Sequence, residues 1–244
     1  MTTLAHRRVL LLGAVDALAL DIARTFSVAG SSLSFGFDQS EGDAVVARIS
    51  TSGLAPERMR SLDFGVSEHL NAQLKSFTPL DIVIYIPRWN EAEVDGEATD
   101  ETIDKALTQN VLEAGFVLQA LTNYFSTRES VQGVQPGRII VPLSLRAQFT
   151  KADVLGASHA ALGALCRQAA SELALAGVTL NTILIHIAEL WQTGSFHTPL
   201  QESLKNSVGT LHDVSEACRY LASASYVTGS QLTIDGGYSL IKTR

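Results

Sequence analysis

Few side chains in this sequence are both reactive and placed to react. His159 could move protons near neutral pH, but it stands alone in the alanine- and glycine-rich stretch Asp153–Gly177. A lone histidine on such a helix reads as a packing or interface residue. Ser144 follows the apolar run Gly137–Pro142 and could polarise a carbonyl through its hydroxyl, or simply bond its own backbone. His186, His197 and His212 are too scattered along the chain to make a metal-ligand set. Cys166 and Cys218 have neither metal spacing nor a disulfide framework, and read as small buried hydrophobes in a reducing cytoplasm.

The other candidate chemistry is at the first turn. A dinucleotide site needs glycines where the first strand enters the first helix. One permits the tight turn, one admits the pyrophosphate, and one lets helix pack on strand. Here the apolar run Arg8–Leu12 is followed by Gly13-Ala14-Val15-Asp16-Ala17-Leu18-Ala19. Gly13 is present, but no second glycine follows it in this stretch. Asp16 adds a carboxylate whose repulsion of a pyrophosphate reaches about 4 kcal/mol at an effective dielectric near 20. Asp16 or Asp21 could instead satisfy the helix N-terminus internally, or Asp16 could face solvent.

The elements around these residues follow from pattern. Strand-like runs at Arg8–Leu12, Ser32–Phe37, Arg58–Leu62, Asp81–Ile86, Gly137–Pro142, Thr179–Ile187 and Gln231–Ile234 alternate with helical periodicity. Helices are expected near Ala17–Ala29, Ser40–Thr51, Ser67–Ser76, Asp100–Arg128, Val154–Ala176 and Val214–Ser223. This is the pattern of an α/β fold: one Rossmann-like, doubly wound domain over 1–244 with a mostly parallel, seven-stranded sheet flanked by helices. The acidic stretch Asn90–Glu101 reads as a solvated loop. The chain has 244 residues, 46% of them hydrophobic, enough for a sizeable core. A net charge of −7 without a basic run argues against nucleic acid. Asp16 interrupts the first apolar run too early for a signal peptide, and no stretch approaches the ~20 apolar residues of a membrane span. A cytoplasmic protein is expected.

The C-terminal segment Tyr226-Val227-Thr228-Gly229-Ser230-Gln231-Leu232-Thr233-Ile234-Asp235-Gly236-Gly237-Tyr238 closely resembles the end of a short-chain dehydrogenase/reductase. Gly177-Val178-Thr179-Leu180-Asn181 matches that family's strand after the catalytic helix. The resemblance implies that Leu155 and His159 occupy the places of the family's catalytic tyrosine and lysine. Leucine has no proton to give a carbonyl oxygen. Tyr238 and Lys242 repeat the Tyr-x-x-x-Lys spacing, but after the Asp-Gly-Gly, where the match reads as chance. The family's glycine motif falls on Leu12–Ala19 and keeps only Gly13, so the resemblance implies that Ala17 and Ala19 put methyl groups where the pyrophosphate would approach. Its Asn-Asn-Ala-Gly falls on Tyr85-Ile86-Pro87-Arg88, and its Pro-Gly on Ile185-His186, beside the nicotinamide. Asp38, at the adenosine ribose, Asp63, at the adenine, the structural Asn110 and Ser144 match the family pattern. Aspartates after strands also cap loops without any ligand.

The resemblance therefore implies a degenerate member with no catalytic residue, no cofactor of its own and no metal. The parts it keeps are those that assemble the family's dimers and tetramers. It is expected to be a non-catalytic subunit of a heterodimer or heterotetramer, joined through helices near 100–128 and 154–176 and the C-terminal strand, with NAD in an active partner subunit. Two alternatives stand beside it. One is a weak NAD-dependent oxidoreductase in which Ser144 polarises the carbonyl, Asp38 and Asp63 hold NAD, and His159 or water supplies the proton. The other is a stand-alone protein binding a small ligand under Ala188–Gln201.

Overall fold

Seven segments pair in register into a parallel sheet: β1 (Arg8–Gly13), β2 (Ser32–Asp38), β3 (Arg58–Leu62), β4 (Ile82–Ile86), β5 (Arg138–Ser144), β6 (Thr179–Ile185) and β7 (Gln231–Ile234). The computed structural model describes residues 4–89, 99–128, 136–148, 154–187 and 209–242. The strand order is β3-β2-β1-β4-β5-β6-β7, with every ladder parallel. Parallel strands need helical crossovers, which cover both faces, so β4 (IVIYI) and β5 (RIIVPLS) are buried throughout.

Side chains alternate between two core layers. Leu10, Leu12, Val83, Ile139 and Val141 pack beneath α3 (Ser67–Leu74), α5 (Ala114–Ser126) and α6 (Val154–Ala174). Val9, Leu11, Ile82, Ile84 and Ile140 pack on the opposite face with α1 (Ala17–Val28), α2 (Gly42–Thr51) and α7 (Leu211–Ser223). A short α8 (Tyr238–Lys242) follows β7. The order reverses between β1 and β4, and in open α/β sheets ligands bind at the carboxyl ends of the strands flanking that reversal. Gly13, Asp16, Asp38, Arg88 and Ser144 all lie at that end.

The expected helix Asp100–Arg128 runs without a break from Asp100 to Ser126 but changes its winding midway. It consists of α4 (Asp100–Leu107), a π-helical turn (Thr108–Glu113) and α5. This wider turn carries Asn110, whose side chain bonds the backbone of Arg88. α7 begins at Leu211 rather than Val214, because Thr210 and Asp213 form a reciprocal capping box. β6 ends at Ile185, short of the expected Ile187. No helix among the described residues is long and apolar enough to cross a membrane. The acidic stretch 90–98, the proposed substrate segment from Ala188, and His197 lie outside the described residues.

Candidate functional site

At the β1–α1 turn the chain bonds to itself. Gly13 has φ +102°, and a Cβ built on it would lie 2.2 Å from the Ile86 carbonyl oxygen. The next amide, Ala14 N–H, donates to that same oxygen at 2.9 Å. Close approach of β1 to β4 therefore requires glycine here whether or not a ligand binds. Asp16 is the N-cap of α1, its Oδ1 accepting the Ala19 N–H at 2.9 Å. Burial, the largest influence, raises its carboxyl above the usual range, against amides that donate to it and the positive charge of Arg48. Arg48 reaches across from α2 to donate to the Val15 carbonyl. Asp21 lies a turn further along α1 and accepts from Ser215 Oγ at 2.7 Å instead. Of the two aspartates expected near the helix N-terminus, Asp16 is the one that fills it.

Beside this turn, Arg88 follows β4 and points back across β1. It pairs with Glu41 and lies 3.9 Å from Asp38. Asp38 in turn accepts the Ser40 N–H at 2.8 Å and the Ser40 hydroxyl, capping the turn after β2. Asp63 accepts the Gly65 N–H at 3.1 Å and meets His69 Nδ1 at 3.2 Å. Glu113 is half-buried, and its carboxyl is raised first by burial, then by the negative charges of Asp38 and Asp63, against Arg88. Four carboxylates thus face this cleft, with Arg88 set among them.

The second cluster lies under α6. The Ser144 backbone N–H donates to His159 Nδ1 at 2.8 Å, and His159 Nε2 lies 3.3 Å from the Arg88 carbonyl oxygen. Asn110 Oδ1 accepts the Arg88 N–H at 3.0 Å, while its Nδ2 donates to the Arg88 carbonyl at 3.1 Å and to Ser158 Oγ at 3.3 Å. Ser158 Oγ donates to the Leu155 carbonyl at 3.0 Å. Asn110, Ser144, Ser158 and His159 are all completely buried, and Leu155 nearly so. The Trp89 ring meets the His159 ring edge-on, centroids 5.0 Å apart. This network ties β4, β5, α6 and the π turn together.

With this geometry in place, comparison with known proteins is informative. The family model described as Enoyl-(Acyl carrier protein) reductase matches residues 13–239. The chain belongs to this short-chain dehydrogenase/reductase family. It is 27% identical to galactitol 2-dehydrogenase (L-tagatose-forming) of Cereibacter sphaeroides, covering 93% of each chain. It is also 27% identical to the mitochondrial borneol dehydrogenase of Lavandula x intermedia, over 73% of this chain and 70% of that one. Among solved structures, the enoyl-[acyl-carrier-protein] reductase (NADH) of Aquifex aeolicus superposes with TM-score 0.79 at 22% identity, covering 98% of both chains. A short-chain type dehydrogenase/reductase from Mycobacterium marinum gives 0.78 at 21%, over 97% of this chain and 96% of that one.

A nicotinamide dinucleotide is the group this fold implies, and at three of the places it would contact, the chain's own side chains are already engaged. The α1 N-terminus, which would face the pyrophosphate, already receives the Asp16 carboxylate. The carboxylate expected at the ribose, Asp38, is engaged by Ser40 and faces Arg88. Where the nicotinamide amide would rest, His186 stacks on Tyr238 with centroids 4.0 Å apart and rings inclined by 16°. Of the residues singled out in the sequence, the structure brings Gly13, Asp16 and Asp38 together at one end of the cleft and Asn110, Ser144, Leu155 and His159 at the other. Ala19 is fully buried and Ala17 exposed. Arg48, Glu41, Glu113 and Ser158 were not singled out, and Arg88 was noted only as a departure from the family pattern. Arg88 had a signal for a structural role, a charged side chain two residues after a wholly apolar strand in a family that places small residues there.

Proposed function

We propose that this chain is a non-catalytic member of the family, a subunit that supports an active NAD-dependent short-chain dehydrogenase partner and binds no dinucleotide itself. The observation that carries the reading is the engagement of the cofactor cleft by the chain's own charges: Asp16 on α1, Arg48 on Val15, and Arg88 beside Asp38 and Glu41. The buried His159 supports it. A proton donor must reach the substrate oxygen, and both ring nitrogens of His159 face backbone groups in the core. A groove of about 770 Å³ between α5 and α6 supports the assembly half. It is lined by Val111, Phe116, Leu165 and Ala169, with Leu107 and Leu112 on its rim 44% and 55% exposed.

A hydroxyacyl-CoA dehydrogenase is the complex proposed, with 2-[hydroxy(phenyl)methyl]succinyl-CoA dehydrogenase of anaerobic toluene degradation as the pattern: one active subunit, one degenerate. The names of the relatives, both dehydrogenases, favour a second reading, a weak NAD-dependent oxidoreductase. Calorimetric titration of the isolated chain with NAD and NADH separates the two. The first reading expects no binding heat at millimolar cofactor, and a micromolar dissociation constant would replace it with the second. Co-expression with an intact short-chain dehydrogenase then tests assembly.

A further inference from the structure

The opposite edge of the sheet, at the N-terminal ends of the strands, carries an arrangement that the family chemistry does not use. Arg138 and Thr179 are register partners on β5 and β6, Arg138 is also paired with Ile82, and Ile82 with Val9. Arg7 precedes β1 by one residue, and its carbonyl accepts the Ser32 N–H at 2.8 Å, extending the ladder. Alternation puts Arg7 on the side of Val9, Arg138 on that of Ile140, and Thr179 on that of Ile183. All three lie on the face covered by α1 and α7.

Each is buried, at 6%, 3% and 5% exposure for Arg7, Arg138 and Thr179. Arg7 Nε, Arg138 Nε and Thr179 Oγ1 are buried atoms with no hydrogen-bond partner among the described residues. Arg138 Nη1 is satisfied by the Pro136 and Gly137 carbonyls at 3.1 and 2.9 Å. Asp81 acts on Arg7 but sits on the other face. There it accepts from Arg8 N, Nε and Nη2 at 3.0, 2.8 and 2.7 Å and faces Arg128 at 3.9 Å. Burial pulls the Arg7 and Arg138 guanidiniums below their ordinary value, and Arg7 adds its repulsion at Arg138. The C-terminal dipoles of α1 and α7, about half a charge each, offset part of the excess but give Nε no acceptor.

We propose that this edge is a binding site for an inorganic oxyanion of the phosphate or sulfate class, held by Arg7, Arg138 and Thr179. The unbonded atoms are two donors that cannot accept and one hydroxyl that can donate, so the missing partner is an acceptor. The guanidinium fork matches the spacing of oxyanion oxygens. Among the described residues the carboxylate that acts on Arg7 is Asp81, already bonded to Arg8, so an anion with charge and several oxygens together suits the two buried guanidiniums.

Melting curves of the full chain at matched pH and ionic strength test this, with inorganic phosphate or sulfate titrated against chloride. The expected result is a saturable rise in Tm of about 3–5 °C at tenfold the dissociation constant. Equilibrium dialysis with radiolabelled phosphate should show one anion per chain. Arg7→Met and Arg138→Met should each abolish the response. Thr179→Val keeps both charges and the shape, and should weaken binding roughly tenfold. Asp16→Ala, at the opposite edge, should leave the response intact. A response to phosphate alone, to sulfate alone or to both upholds the site. No saturable rise in the unmodified chain, an equal rise in the arginine variants, or a response to acetate only would overturn it.

Discussion

His159 Nδ1 accepts the backbone N–H of Ser144 at 2.8 Å, across the joint between α6 and the end of β5. An accepting Nδ1 carries a lone pair, so the ring proton sits on Nε2 and points at the Arg88 carbonyl, 3.3 Å away. That carbonyl also accepts from Asn110. The same histidine that could have served as a proton shuttle is thereby a strut between three backbone segments, and its ring is closed off from solvent.

His159→Lys should therefore cost stability rather than restore chemistry. An ammonium has no lone pair for the Ser144 N–H, and the site is fully buried. Together these should lower unfolding free energy by about 3 kcal/mol in urea titration. Combined with Leu155→Tyr, the change should give no turnover with NAD and a panel of alcohols, because the cleft at Asp16 and Arg88 is unchanged. Robust turnover from the double variant would refute the reading of that cleft.

Asp16 gives a pH-dependent prediction. Its carboxyl is raised in the folded state, chiefly by burial, so folding disfavours the ionised form. Its contribution to stability is most favourable below the unfolded pKa of about 3.9 and declines as pH rises toward the higher folded value. Asp16→Asn keeps a capping oxygen without the charge. It should be more stable than the unmodified chain at pH 7, and the gap should close as pH falls to about 4. Asp16→Ala loses the cap to Ala19 and should cost about 1 kcal/mol. Urea titrations at both pH values distinguish the three proteins.

Gly13 tests whether the surviving glycine serves the fold. Its positive φ and the 2.2 Å approach of an added methyl to the Ile86 oxygen make Gly13→Ala costly in the absence of any cofactor, by about 3 kcal/mol. Adding NAD should not change that loss. If Gly13→Ala were as stable as the unmodified chain in thermal melts, the packing account of this residue would fail.

Much of the architecture is legible in the sequence because it is local. Ile82–Ile86 is apolar at every position, and a strand buried on both faces has to be. The Thr108–Glu113 π turn is not legible. It is set by Asn110 bonding the backbone of Arg88, 22 residues away in sequence. The charged filling of the cleft is half legible. Asp16 caps the helix that starts at Ala17 by accepting an amide three residues on, a local event readable from its place before Ala17. Arg88 meets Asp38 and Glu41 only because β1 lies between β2 and β4. Strand order is a property of the whole sheet, so no local window around Arg88 names its partners.

Assembly is the part of the proposal with most to lose. The groove between α5 and α6 is mostly apolar, with Gln119, Gln168 and Glu172 among its lining, and Leu112 borders it with 55% of its surface in solvent. An isolated exposed leucine means little, but one bordering a groove with Val111, Phe116 and Leu165 extends an apolar surface that a partner helix can cover. Leu112→Asp should leave the chain folded, with stability changed by no more than about 0.5 kcal/mol. It should weaken association with the active subunit at least tenfold, about 1.4 kcal/mol, by placing a charge in a desolvated contact. Size-exclusion chromatography of the co-expressed chains reads the association, and an NAD-linked assay of each fraction reads the partner's activity. A partner that assembles and turns over fully without this chain would end the subunit hypothesis. Leu112→Asp that binds as tightly as the unmodified chain would move the interface away from α5 and α6.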